Sequence, residues 1–397
     1  MSVRKRTWTT NGVEQSGWQA DYKGADGKRH RPTFAKKKDA EAYLLKARGE
    51  VRDGVHVPDS ATITVEEAGK LWLKSGAAAG LERTTIDQRK QHLNLHIVPF
   101  IGNDKLNKIT VPSVRAFQDR LAEAGRSPAM VKRVTVSLGS IFADSQLRGQ
   151  AIRNPVHEMS KAKSSRVKVE KRQQKRLEVG VDIPTTQEVL AVITAAQGRW
   201  RPLLITAIFT GLRASELRGL RWSDVDLAKA VLHVRQRADR YHDIGMPKTD
   251  AGQRKVPLTP LVVNALKEWQ LACPKGDLDL VFPSGAGKVE GHSNIVNRGF
   301  LPTQIAAGVT LATGQSTSDG NPILVAKYSG LHALRHWFAS WCINRRSEGG
   351  LELTPKAVQE RMGHSNIAVT LDTYSHLFPA RDESLALAEA ERVLFGT

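Results

Sequence analysis

The spacing of hydrophobic residues changes along the chain, and each change marks a different kind of element. Near the N-terminus, Gly17-Trp-Gln-Ala-Asp-Tyr22 and Arg29-His-Arg-Pro-Thr-Phe34 are short alternating runs, and the Gly24-Ala-Asp26-Gly27 turn between them predicts a hairpin. Ala40, Tyr43, Leu44 and Ala47 then recur at helical spacing over Lys36 to Val51. Residues 1–57 are therefore expected to form a small β-sheet packed on one helix. From Thr62 to Asn154 the spacing is helical. Thr64-x-x-Glu67 predicts a capping box before Leu71-Trp72-Leu73, and three more helices follow over Glu82 to Ile97, Val111 to Ala124 and Ser127 to Leu147. The last has Pro128 at its first position, where the missing amide costs nothing.

Residues 155–180 have no clear period and little apolar content. Lys161, Lys163, Arg166, Lys168, Lys171, Arg172, Lys175 and Arg176 stand against Glu170 and Glu178, which predicts a basic linker, since such a segment cannot bury enough to fold alone. Over 181–397 the periods mix. Thr185-x-x-Glu188 caps a helix to Ala196, Trp200 to Thr210 gives another that stops at Gly211, and Val231 to Arg235 and Lys255 to Leu258 predict a small antiparallel sheet. Helices are expected at Pro260 to Leu271, Asn294 to Ala307, Leu331 to Arg346 and Arg381 to Leu394, with an exposed loop over Gly308 to Lys327. The expected fold class is multidomain α+β: a small N-terminal sheet plus helix (1–57), a helical domain (62–154), a basic linker (155–180), and a mixed, mainly α domain with a small antiparallel sheet (181–397).

Charge adds a partner to this picture. Lys and Arg number 59 against 40 Asp and Glu, a net charge of +19, and an excess of that size favours a polyanion, nucleic acid before membrane. Arg4, Lys5, Arg6, Lys23, Lys28, Arg29, Arg31, Lys36, Lys37 and Lys38 crowd the N-terminal unit and give it a basic face. The first residues hold no apolar signal region, and the longest nearly apolar stretch, around Leu203 to Gly211, is far below membrane-spanning length. A cytoplasmic location and no membrane partner are expected. Cys273 and Cys342 form no CxxC, so neither a disulfide framework nor a zinc ribbon is indicated.

The candidate chemistry is concentrated between Leu331 and His376. His332 and Arg335, three apart, share one face of the predicted helix, where a guanidinium fork and an imidazole can hold the same phosphate. His332 and His336 at i,i+4 would suit zinc, but the glutamate a zincin needs at 333 is Ala333. His336 and His376 are neighbours without a motif role and are taken as structural. Ser284-Gly-Ala-Gly287-Lys288 fails as a phosphate loop because Phe282 and Val289 break the pattern at both ends, and no carboxylate cluster accompanies the basic residues. No metal and no nucleotide cofactor are expected.

His332-x-x-Arg335, Gly363-His364 and Tyr374, together with Thr210-Gly-Leu-Arg213-Ala-Ser-Glu216-Leu and Pro247-Lys248-Thr249 ahead of Arg254-Lys-Val-Pro-Leu258, resemble the active-site motifs of the tyrosine recombinase (phage integrase) family, in the same order. The resemblance implies a site-specific DNA recombinase of the prophage type, with Tyr374 as nucleophile forming a 3′-phosphotyrosyl bond. Arg213 and Arg335 would clamp the phosphate, and Lys248 would be general acid on a hairpin, with Lys255 its nearest rival. His332 and His364 would donate to the phosphate, one of them available to take the phenolic proton, while Glu216 orients Arg213 from behind. It further implies an N-terminal arm-binding domain, a helical core-binding (SAM-like) domain, and a homotetramer on double-stranded DNA attachment sites, aided by a DNA-bending host factor and an excisionase. The alternatives are a Xer-like dimer-resolution recombinase and a catalytically inactive DNA-binding regulator derived from an integrase.

Overall fold

The computed structural model describes residues 2–11, 13–24, 27–52, 62–163, 176–247, 249–316, 318–379 and 383–396, and the chain divides into two compact units, 1–174 and 175–397. In the first unit, β1 (Ser2–Thr10) and β2 (Val13–Lys23) pair antiparallel along their full length, from Ser2 opposite Asp21 to Thr10 opposite Val13. The sheet thus starts well before the alternating runs that predicted it. Asn11-Gly12 was the overlooked signal, for Asn11 takes a φ of 52°, a conformation that asparagine tolerates at a tight turn. The short strands β3 (Arg29–His30) and β4 (Thr33–Phe34) both join β2, and α1 (Lys37–Arg52) packs Ala40, Leu44 and Ala47 on Ala20 and Tyr22. Asp21, buried in this sheet, ties down three of the basic side chains, Arg4 at 3.2 Å, Arg29 at 2.8 Å and Arg31 at 3.4 Å.

The helical part follows its expected order. α2 (Val65–Ala78) starts at the reciprocal Thr64 and Glu67 capping box. α3 (Arg83–His92) continues through a wider π-helical turn, Leu93–Ile97, into α4 (Val98–Ile101), and α5 (Val111–Glu123) and α6 (Pro128–Leu147) complete the set around Trp72, Phe117, Leu138 and Phe142. One expectation needs correcting. The proposed linker begins instead as a helix, α7 (Pro155–Lys163), because Val156 and Met159 are buried in the same core and Asn154 accepts from the His157 amide at 3.2 Å. The linker positions 164–175 lie outside the described residues.

In the second unit α8 (Thr186–Ala195) carries the other predicted capping box, and α9 (Trp200–Thr210) is buried almost all round through Leu203, Leu204, Ile205, Ala207 and Ile208. The short helix α10 (Ala214–Gly219) follows Arg213. The strands β5 (Val225–Asp226) and β6 (Val231–Val234), the small hairpin β7 (Arg237–Ala238) and β8 (Ile244–Gly245), and β9 (Arg254–Pro257) come next, with sheet order β5-β6-β9 and all pairings antiparallel. α11 (Pro260–Ala272) and α12 (His292–Asn294) precede a second π-helical turn, Ile295–Phe300, which leads into α13 (Leu301–Ala306). The stretch expected to be a loop, 308–327, is a β-hairpin, β10 (Thr310–Ser316) and β11 (Pro322–Ala326), with Leu311, Ile323, Leu324 and Val325 exposed. Its glycine and serine content masked an alternation of β-branched and apolar residues. Last come α14 (His332–Ile343), α15 (Pro355–Met362), α16 (Ile367–Tyr374) and α17 (Glu383–Phe395). α14 packs along α9, and that pair forms the floor of the site described next. Among the described residues no helix is long and apolar enough to cross a membrane.

Candidate active site

Two glycine turns bring the chemistry together. Gly211 ends α9 with φ 59°, and Gly363 ends α15 with φ 61°. Each turn places a carbonyl where an arginine needs one. Arg335, on the buried face of α14 and 2% exposed, donates through Nη1 to the Gly211 carbonyl and through Nη2 to the Met362 carbonyl. A guanidinium has five N–H donors, so these two bonds fix its plane and leave three for a ligand. Burial, then Arg213, pull it down to about 9, so it is still charged at neutral pH.

Arg213 sits at the N-terminal cap of α10. Its Nη1 donates to Glu216 Oε1 at 2.7 Å and its Nη2 to the Gly363 carbonyl at 3.1 Å, while the Arg213 amide donates to Glu216 Oε2 at 2.9 Å. Glu216 therefore stands behind the arginine, as expected of it. It also binds a residue that the sequence reading left out of the site. Arg254, at the start of β9, donates through Nη2 to Glu216 Oε2 at 2.9 Å, and its Nε reaches the Arg361 carbonyl at 2.8 Å. Burial would raise the Glu216 carboxyl, but Arg254 first and then Arg213 outweigh it, and the group lies below its usual range. The β9 strand, α10 and the turn after α15 are thereby joined through one carboxylate.

The histidines and the tyrosine complete the cluster. His364 follows Gly363 and has its Nδ1 2.9 Å from Thr370 Oγ1, and burial followed by Arg335, Arg213, Arg254 and His332 pushes it down to about 4. His332 is also lowered, by burial and then by Arg335 and Arg213. Tyr374 ends α16, is 2% exposed, and lies stacked on His364 with ring centroids 6.5 Å apart and planes 6° from parallel. Its hydroxyl meets His336 Nδ1 at 2.8 Å. Burial pushes the phenol up to about 12, with Arg335 acting the other way.

Five of the six residues singled out from sequence, Arg213, His332, Arg335, His364 and Tyr374, thus come together. Lys248 lies outside the described residues, and its rival Lys255 is exposed on β9. His376 bonds the Leu177 carbonyl at 2.7 Å, in keeping with a structural role. His336, expected to be structural, makes a contact that the sequence did not announce, with the tyrosine hydroxyl. Its i,i+4 spacing from His332 on one helix face was the available signal, and was tested only as a zinc pair. Among the described residues no group of His, Cys, Asp and Glu could hold a metal ion.

The comparisons with known proteins point to one family. The model described as the phage integrase family matches residues 184–381, and that of the phage integrase N-terminal SAM-like domain matches residues 64–122. A XerC-like tyrosine recombinase of Caldanaerobacter subterraneus is 26% identical over 364 residues, covering 86% of this chain and 86% of that protein. A putative prophage phiRv2 integrase of Mycobacterium tuberculosis is 27% identical over 381 residues, covering 93% and 91%. In fold, the chain is similar to the Tn1549 transposon integrase solved with a circular-intermediate DNA, with a TM-score of 0.60 at 21% identity over 83% of this chain and 99% of that one. The fold and the site define a tyrosine recombinase, an enzyme of site-specific DNA recombination. The chain belongs to the phage integrase family.

Proposed function

We propose that this integrase cuts and rejoins DNA at attachment sites through Tyr374, which attacks the scissile phosphorus, releases a 5′-hydroxyl and holds the 3′ end as a phosphotyrosyl ester. The single observation that carries the reading is a buried phenol set among two arginines and three imidazoles, with Glu216 already neutralised by Arg213 and Arg254. Such a site has surplus positive charge and spare N–H donors where a phosphodiester would bring negative charge. Arg213 and Arg335 would hold its two non-bridging oxygens and stabilise the charge that builds in the transition state. His332 and His364 would add hydrogen bonds, and Lys248 would protonate the leaving oxygen. The ester conserves the energy of the broken bond, so this scheme calls for neither metal nor nucleotide.

The reading of the cellular role is supported by similar proteins that include prophage and transposon integrases. The proposed substrate is double-stranded DNA of a phage or other mobile element, integrated or excised in the cytoplasm by a homotetramer, with a DNA-bending host protein and an excisionase as accessory factors. Residues 1–57 would bind arm sites, 62–154 the core site, and 181–397 carry the chemistry, with 155–180 between them. The test is covalent trapping on nicked duplexes tiled across the DNA flanking the gene, wild type beside Tyr374→Phe. The expected result is a protein-linked 3′ end at one position for wild type alone. Equal binding by both proteins with no adduct from either would leave a DNA-binding regulator instead of an enzyme.

A further inference from the structure

We propose that His336 is a catalytic residue of this site: it takes the phenolic proton of Tyr374 as that oxygen attacks phosphorus, and gives it back when the tyrosine leaves. The inference rests on the reading of Tyr374 as the nucleophile. Its basis is geometric. Among the described residues the tyrosine hydroxyl has one hydrogen-bond partner, His336 Nδ1, at 2.8 Å, which is within range for direct proton transfer. Both ends of that contact are braced. His332, one turn earlier on α14, packs against the His336 ring at 4.5 Å and 84°, and His364 stacks on the tyrosine ring.

The two histidines already placed in the site are poorly set for this proton. The His364 ring lies 6.5 Å from the phenol ring between centroids, its Nδ1 is engaged by Thr370, and the phenol hydroxyl is bonded to His336 instead. His332 meets His336 and not the phenol. The role of proton acceptor therefore passes one helical turn along, to a residue outside the motif.

The charge state supports the assignment. Burial chiefly, then His332 and Arg335 on its own helix, push His336 down to about 4, and Asp182, on the segment entering α8, opposes them. The ring is neutral near pH 7, and with the proton on Nε2 it offers Nδ1 a free lone pair. In the DNA-free protein the proton stays on the phenol, because the phenol is pushed up to about 12. Attack changes that balance. A phenolic oxygen that is bonding to phosphorus becomes acidic, and a phosphate held by Arg213 and Arg335 offsets the positive field that adds to burial in keeping His336 neutral. The Oη–P bond forms, the P–O5′ bond breaks, the phenolic proton moves to Nδ1, and the departing 5′ oxygen takes its proton from a different group. Rejoining reverses each step.

Single-turnover cleavage of a nicked duplex, measured from pH 6 to 10 alongside DNA binding, tests this with wild type, His336→Asn and His336→Ala. Asparagine places an amide near the Nδ1 position, so it can hold the hydroxyl but cannot carry the proton. Both variants are expected to bind DNA as wild type does and to cleave about 100-fold more slowly near pH 7. Their deficit should shrink as pH rises toward the phenol's own ionisation. Wild-type cleavage by His336→Asn would reduce the residue to a positioning contact, and a deficit constant across pH would reduce it to scaffold. Faster cleavage by His336→Ala would make the contact a brake, and would also overturn the proposal. A wild type that binds but forms no adduct overturns the Tyr374 assignment, and this inference with it.

Discussion

Glu216 binds two arginines with two oxygens, and that stoichiometry explains much of the site's electrostatics. The Arg254 and Glu216 side chains are 5% and 2% exposed, so the pair is fully desolvated, and losing either partner would strand a buried charge. Arg213 shares the same carboxylate but is 39% exposed, which leaves its outer edge open to a ligand. The surplus charge also bears on the histidines. His332, His336 and His364 are all held below the usual imidazole value of 6.5, burial being the first cause, the latter two at about 4. His92, His96 and His292, away from the site, shift the same way. Between about pH 6.5 and 4 the unfolded chain binds more protons than the folded one, so stability rises with pH across that window and is lost as pH falls through it. The urea midpoint of DNA-free protein should therefore drop steadily from pH 6.5 to 4, and a flat profile would contradict these depressed values. At this scale the sequence showed the motif residues because their spacing is local. It hid the partners of Arg254 and His336, namely Glu216 and Tyr374, each 38 positions away, which no periodicity can report even though helical spacing set His336 beside His332.

The elements that position these side chains end where glycine is required. At Gly211 an added Cβ would lie 2.3 Å from Phe338 Cδ1, a ring 1% exposed in the core, and the positive φ disfavours any L side chain. Gly211→Ala should cost about 2–4 kcal/mol, combining left-handed strain with overpacking. It should also slow cleavage, since the displaced Gly211 carbonyl is one of the two that orient Arg335. Urea unfolding and adduct formation measured on the same sample check both effects, and a variant that keeps its stability would show that Phe338 yields more readily than its burial implies. Helices with capping boxes, at Thr64 and Thr185, were legible to within a residue because the capping residues themselves mark the boundary. Of the elements that escaped notice, β1 and α7 carry marks that were passed over, Asn11-Gly12 and Asn154-Pro155, whereas the β10–β11 hairpin lacks one. β1 is mostly charged and polar, α7 looks like the basic segment that follows it, and the hairpin is exposed on residues that elsewhere form loops.

For the whole molecule, the final helix poses a question that the rest of the chain does not answer. α17 leaves Leu387, Val393, Leu394 and Phe395 at 69–81% exposure. Covering a side chain of this kind is worth about 1.5–3 kcal/mol, so four together are a substantial incentive to find a surface. If that surface belongs to another copy within the proposed homotetramer, the helix contributes little to one protomer's own stability and much to assembly. Removing residues 383–397 should then leave the urea midpoint nearly unchanged and still permit Tyr374 to form an adduct on a single nicked duplex. It should sharply reduce strand exchange between two duplexes, which needs several active sites held together. Native gels of the protein on DNA, run beside the exchange assay, would show the larger complexes disappearing while single-protomer binding persists. A truncated protein that unfolds earlier would place the partner surface within the same chain, and one that exchanges strands at the full rate would remove the helix from assembly altogether.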